Sequence, residues 1–94
     1  MFVKLEKLEI TNNGHRREFF IREIFVNVDT IVSVSANEDI TGFLRNESSL
    51  FSDSFFSDVV VATDHKTPTS IIARGSPNSI AESLNGKKKE ILHE

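Results

Sequence analysis

The chain has 94 residues, a formal net charge of −3, 38% apolar residues and 27% charged residues, with no Cys, Trp or Tyr. That length allows one domain with a modest core. The absence of Cys excludes a disulfide framework and a Cys-based zinc site, and the acidic balance argues against a general nucleic-acid binder, which needs a basic face.

Residues 2–10 read as a first strand. Val3 and Leu5 share one face, whereas Leu8 and Ile10 share the other. The phase slips around Glu6 and Lys7, which predicts a bulge or a sharp twist there. Charges interrupt this segment every two or three residues, unlike a signal peptide or membrane anchor. No apolar run approaches the ~20 residues of a spanning helix. A cytoplasmic protein is therefore expected. Asn12-Asn13-Gly14-His15 follows, and Asn-Gly is the preferred pair for a tight hairpin turn because both residues tolerate positive φ.

Residues 16–28 form a long second strand, with Phe19 and Ile21 on one face and Ile24, Val26 and Val28 on the other. This slip mirrors the first and predicts a strongly coiled ribbon able to pack on two surfaces. A helix over 16–25 is the rival, since Glu18, Arg22 and Glu23 have helical spacing. The β-branched and aromatic content favours strand. Val28-Asp29-Thr30 makes a turn, and Ile31, Val32, Ser33 and Val34 form the third strand.

Residues 36–57 are rich in Ser, Asn, Asp and Glu, yet they hold four of the eight Phe residues. The composition predicts a long loop, and long loops in small domains are functional or partly disordered. The aromatic content predicts that part of it docks. Val59-Val60-Val61-Ala62 reads as a buried strand, residues 63–66 as a turn, and Thr69–Ala73 as the returning strand after Pro68. A helix is predicted from about Pro77 to Asn85, with Ser76 as N-cap and Ile80, Ala81 and Leu84 as its apolar stripe. Gly86 is the expected stop, and Lys87-Lys88-Lys89 suit the negative end of the helix dipole. Ile91, seven residues after Leu84, leaves open a further helical turn. The fold class expected is α+β: a strongly bent antiparallel sheet of about five strands with one C-terminal helix.

Catalysis is not expected. His15 and His65 fall in turns and His93 in the tail, none at metal-ligand spacing with another. Asp64 and His65 are adjacent in a turn, a poor arrangement for an acid–base pair. No Ser stands in a nucleophile elbow. Glu38, Asp39, Glu47, Asp53 and Asp58 lack the spacing of a calcium loop. No metal or cofactor is implied. Asn46-Glu47-Ser48 matches a glycosylation acceptor by chance, and the three lysines read as a dipole complement.

Two binding readings remain. In the first, Phe43, Leu44, Phe51, Phe55 and Phe56 anchor a protein partner, since aromatic residues dominate interface energetics. Against it, a domain this small needs its apolar residues to cover its own sheet. In the second, Arg74, Gly75, Ser76, Asn78 and Ser79 hold an anion at the helix start. Helix dipole, outward N–H groups and an Arg fork would favour a phosphate-bearing small molecule such as a nucleotide. Against it, most N-capped helices bind nothing, and Ser76 caps the helix whether or not a ligand is present.

Three stretches carry a family resemblance: Phe2-Val3-Lys4-Leu5, Asn27-Val28-Asp29-Thr30-Ile31-Val32-Ser33-Val34 and Ser79-Ile80-Ala81-Glu82-Ser83-Leu84. In this order they resemble small flagellar-operon proteins of the FlbD type and related short phage and bacterial β-domains. The resemblance implies a sheet with a short helix and carries over no catalytic residue. The long second strand and the 36–57 insertion depart from that pattern. The resulting expectation is a small non-enzymatic binding protein, phage-encoded or a regulatory inhibitor, acting through a protein partner. The phosphate binder or sequestering protein is the alternative. Exposed sheet edges further predict a homo-oligomer formed by edge pairing or helix packing. Neither nucleic acid nor membrane is an expected partner.

Overall fold

The computed structural model describes residues 1–47, 51–63 and 67–92, with side chains described as far as Gly86. Five strands form one antiparallel open sheet: β1 (Phe2–Asn13), β2 (Arg16–Asn27), β3 (Ile31–Ala36), β4 (Phe56–Val61) and β5 (Thr69–Arg74). Two helices complete the fold, α1 (Glu38–Glu47) and α2 (Pro77–Leu92). The strand order is β2-β1-β5-β4-β3. β2 and β3 are therefore the edges.

β1 and β2 pair along their whole length, from Phe2 opposite Asn27 to Asn13 opposite Arg16. The register has no break, so the bulge expected at Glu6-Lys7 is absent. What changes there is the buried face. Val3 and Leu5 pack with Val28, Val59, Ala73 and Ile80, against which Ile24, Val26 and Leu84 also lie. Leu8 packs on the other side with Leu44, Phe51 and Phe56, joined by Phe19, Ile21, Ile40 and Ile72. Strand alternation puts residues of odd and even number on opposite faces. Thus the slip in the sequence marks one strand of unbroken register whose buried side changes from the α2 face to the α1 face.

The hairpin loop is one residue later than Asn-Gly chemistry predicts. Asn13 is the last paired residue, and the loop is Gly14-His15, with Gly14 at φ 68°. Glycine takes that left-handed conformation without a Cβ clash, which makes it the better occupant of the first loop position. A single 3₁₀ turn, Val28–Thr30, follows β2 and is capped by the Asn27 side chain, which accepts from the Asp29 N–H at 3.0 Å. β3 carries a register shift between Ile31 and Ser33.

Two corrections concern the helices. Residues 36–57 are not one long loop, and the fold does not have a single helix, because α1 occupies 38–47. Asn37 nucleates it: its Oδ1 accepts from the Ile40 N–H at 3.0 Å, and its carbonyl accepts from the Thr41 N–H at 3.1 Å. Glu38 and Asp39 in the first turn suit the helix dipole. Ile40 and Leu44, one turn apart, then face the sheet. The second correction is that α2 passes through Gly86 and runs to Leu92. A helical Gly costs only about 1 kcal/mol relative to Ala, which weakens a helix without stopping it. The turn residues Asp64, His65 and Lys66 lie outside the described residues, as do His93 and the side chains of Lys87, Lys88, Lys89 and Ile91.

Candidate functional site

The approach of α1, the start of β4 and the start of α2 forms a groove on the surface. Thr41 on α1 holds the start of β4: its Oγ1 accepts from the Phe56 N–H at 2.9 Å. The Asn37 N–H donates to the Phe56 carbonyl at 2.9 Å, and the Asn37 amide donates to Asp58 Oδ1 at 3.0 Å. These bonds tie the start of β4 to the first turn of α1. On the other side, the Gly75 N–H donates to the Phe55 carbonyl, and Ser57 Oγ donates to the Gly75 carbonyl at 2.8 Å. The start of α2 is thereby brought beside Phe55. Between the two helix starts lies a groove of about 460 Å³, lined by Thr41, Gly42 and Arg45 of α1, by Phe55 and Phe56, and by Ser76 and Pro77 at the start of α2. That volume falls within the range of small-ligand and side-chain pockets, about 300–1,000 Å³.

The five apolar residues predicted as partner anchors divide into two sets. Leu44, Phe51 and Phe56 are buried in the α1-side core, with Phe51 and Phe56 in edge-to-face contact at 5.8 Å. They hold α1 onto the sheet, and of the three Phe56 also lines the groove. Phe43 and Phe55 are exposed. Phe43 sits edge-on to Phe19 at 5.8 Å. Phe55 is 54% exposed, and the Arg45 guanidinium lies over its ring, 4.5 Å from the centroid. The cation orients an aromatic ring at the lip of the groove.

The five residues predicted to hold an anion are neighbours at the β5–α2 junction, but the side chains of Arg74 and Ser76 and the backbone N–H groups of Gly75 and Ser79 are already engaged. The Arg74 side chain donates to Glu6 across the β5–β1 boundary. Ser76 Oγ accepts from the Ser79 N–H at 3.2 Å, the N-cap bond that its sequence position predicts. Gly75 has φ 130°, and a Cβ built there would come within 3.3 Å of Ile80 Cγ1. Its role is to let the chain turn tightly into α2. Asn78 and Ser79 are exposed on the first turn. Ser76 is the member of this set that also lines the groove beside Phe55, so the two sequence-predicted sites meet there.

Sequence reasoning missed Thr41, Gly42 and Arg45, because it read their segment as loop. The signal was present in the Asn37 cap and the Ile40-Leu44 spacing. Among the described residues, no group of three or more acidic or histidine side chains is placed to hold a metal ion, and no helix is long and apolar enough to cross a membrane. Comparison of the chain with protein-family models, with curated proteins and with solved structures finds no significant match.

Proposed function

We propose that the protein is a small non-enzymatic binding module that engages a protein partner at the groove between α1 and the start of α2. The carrying observation is Phe55: a large aromatic residue exposed at the groove lip and stacked by Arg45. Exposed aromatic and Arg side chains around a concave apolar surface are the usual composition of interface hot spots. The fitting partner inserts one apolar side chain over Gly42, which leaves open space at the α1 wall. A regulatory or inhibitory role suits this size and mode of action.

Selection from a displayed random-peptide library tests the reading. The wild type should enrich peptides with a large apolar residue. Phe55→Ser should lose that enrichment, and Gly42→Leu should lose it by filling the groove, both with unchanged circular dichroism. Equal enrichment by all three proteins would refute the reading. The phosphate-binding alternative makes a different demand, because Arg74 must leave Glu6. Under that alternative, Glu6→Gln would increase the thermal shift produced by a nucleotide and Arg74→Ala would abolish it. The internal bonds of Arg74 and Ser76 favour the protein-partner reading.

A further inference from the structure

Strand β2 is an edge of the sheet and pairs only with β1 among the described residues. It runs for 12 residues without Pro or Gly. The opposite edge, β3, has 6 residues and a register shift, the usual protection against unwanted pairing. β2 lacks both devices, and its charges follow an order of their own. Arg17-Glu18-Phe19-Phe20-Ile21-Arg22-Glu23 is complementary to itself when read in reverse.

Two copies of an edge strand join antiparallel about a two-fold axis perpendicular to the sheet. Paired residues then lie on the same face, so the axis passes through one residue. With the axis at Phe20, Arg17 meets Glu23 of the second copy, Glu18 meets its Arg22, Phe19 meets its Ile21, and Phe20 meets itself. Symmetry repeats each contact, so every charge in the segment faces an opposite one. Neighbouring registers fail. An axis at Phe19 sets Arg16 against Arg22, and an axis at Glu18 or Arg22 sets a like charge on itself. An axis at Ile21 gives no charge pair and places Phe20 against Arg22.

The side chains are free to serve. Arg17, Glu18, Arg22 and Glu23 are exposed, and Phe20 is 45% exposed. Arg22 contacts a half-buried Glu9 and Glu23 contacts an exposed Lys4, both at 3.6 Å, and the exposed ends of Arg22 and Glu23 can be shared with a second copy. Phe19 and Ile21 are half-buried at the border of the α1-side core. Pairing would carry that core across the axis.

We propose that the protein forms a two-fold dimer by antiparallel β2–β2 pairing centred on Phe20, joining the five strands of each copy into one sheet. This surface shares no residue with the groove, so the proposal stands apart from the binding function.

Sedimentation equilibrium and native mass spectrometry test it with charge-reversal variants at exposed positions. The wild type should be a dimer. Glu18→Arg should weaken it by about ten-fold or more, because both 18–22 pairs become repulsive, and Arg22→Glu should do the same. An equimolar mixture of the two variants should form a mixed dimer in preference to either homodimer, since both pairs are then attractive again. The double variant Glu18→Arg/Arg22→Glu should restore self-association and serves as a second test if either single variant folds poorly. A monomeric wild type would overturn the proposal. So would variants that dimerise as the wild type does, or a mixture and a double variant that both stay monomeric.

Discussion

Leu5 and Leu8 lie three residues apart on an unbroken strand, yet each is a core residue of a different face: Leu5 under α2 and Leu8 under α1. Side chains three positions apart on a strand point to opposite sides and are separated by about 10 Å. Leu5→Ala and Leu8→Ala should each lower stability by about 2–5 kcal/mol, the usual cost of a buried leucine. Because the two cores share no side chain, the losses should add to within about 0.5 kcal/mol. Urea denaturation of the single and double variants checks this, where both remain folded in the absence of denaturant. A coupling above about 1 kcal/mol would mean that the two layers communicate through β1.

Glycine substitutions should change stability in opposite directions. Gly75 has φ 130° and lies close to Ile80. Gly75→Ala therefore meets both an unfavourable backbone and a tight contact, and should destabilise by about 1–3 kcal/mol. Gly42 and Gly86 are helical with open space around the missing Cβ. Gly42→Ala and Gly86→Ala should each stabilise by about 0.5–1 kcal/mol. Thermal melts of the three variants give the signs directly. A loss of stability from Gly42→Ala would contradict the position of that residue on a free helical face.

Thr41 ties α1 to β4 through one hydroxyl. Thr41→Val keeps the shape and removes the acceptor for the Phe56 N–H. That partly buried donor then lacks its partner, at a cost of about 1–3 kcal/mol. Asn37→Ala removes the cap of the same helix and should cost about 1 kcal/mol. Amide hydrogen exchange should show faster exchange at Phe56 in Thr41→Val and across the first turn of α1 in Asn37→Ala, while β1 and β2 stay protected. Uniform acceleration across the whole sheet would show instead that α1 unfolds only with the rest.

The five strands and the α2 start were legible because each rests on local chemistry. Val59 to Val61 alternate on a buried strand, and Ser76-Pro77 is a cap followed by the residue best suited to the first helical position. The packing of the hairpin on two surfaces was legible too, from the change of parity between Leu5 and Leu8. Its cause was misread, because a parity change looks the same whether a bulge or a second helix produces it. α1 was hidden because Thr41-Gly42 and the surrounding Ser and Asn lower helix propensity, while the forces that stabilise it are tertiary: Leu44 in the core and the Thr41 bonds to Phe56. The groove depends on α1, so it could not be read before that helix was known. Burial divided the aromatic segment in a way that residue type alone does not reveal.

That division gives the last expectation. Phe55 and Phe56 are chain neighbours on opposite sides of the start of β4, 54% and 1% exposed. Phe56 packs with Leu8, Leu44 and Phe51, so Phe56→Ala should cost about 3–5 kcal/mol and leave a small domain close to unfolding. Phe55→Ala removes an exposed ring and its contact with Arg45, and should change stability by no more than about 0.5–1 kcal/mol. Chemical denaturation of the two variants checks both values. If Phe55→Ala proved as costly as Phe56→Ala, the exposed ring would be serving the fold, and the groove would lose its strongest mark as a binding surface. If the two differ as expected, Phe55 is a residue the fold does not need, and its exposed ring is available to the proposed groove partner.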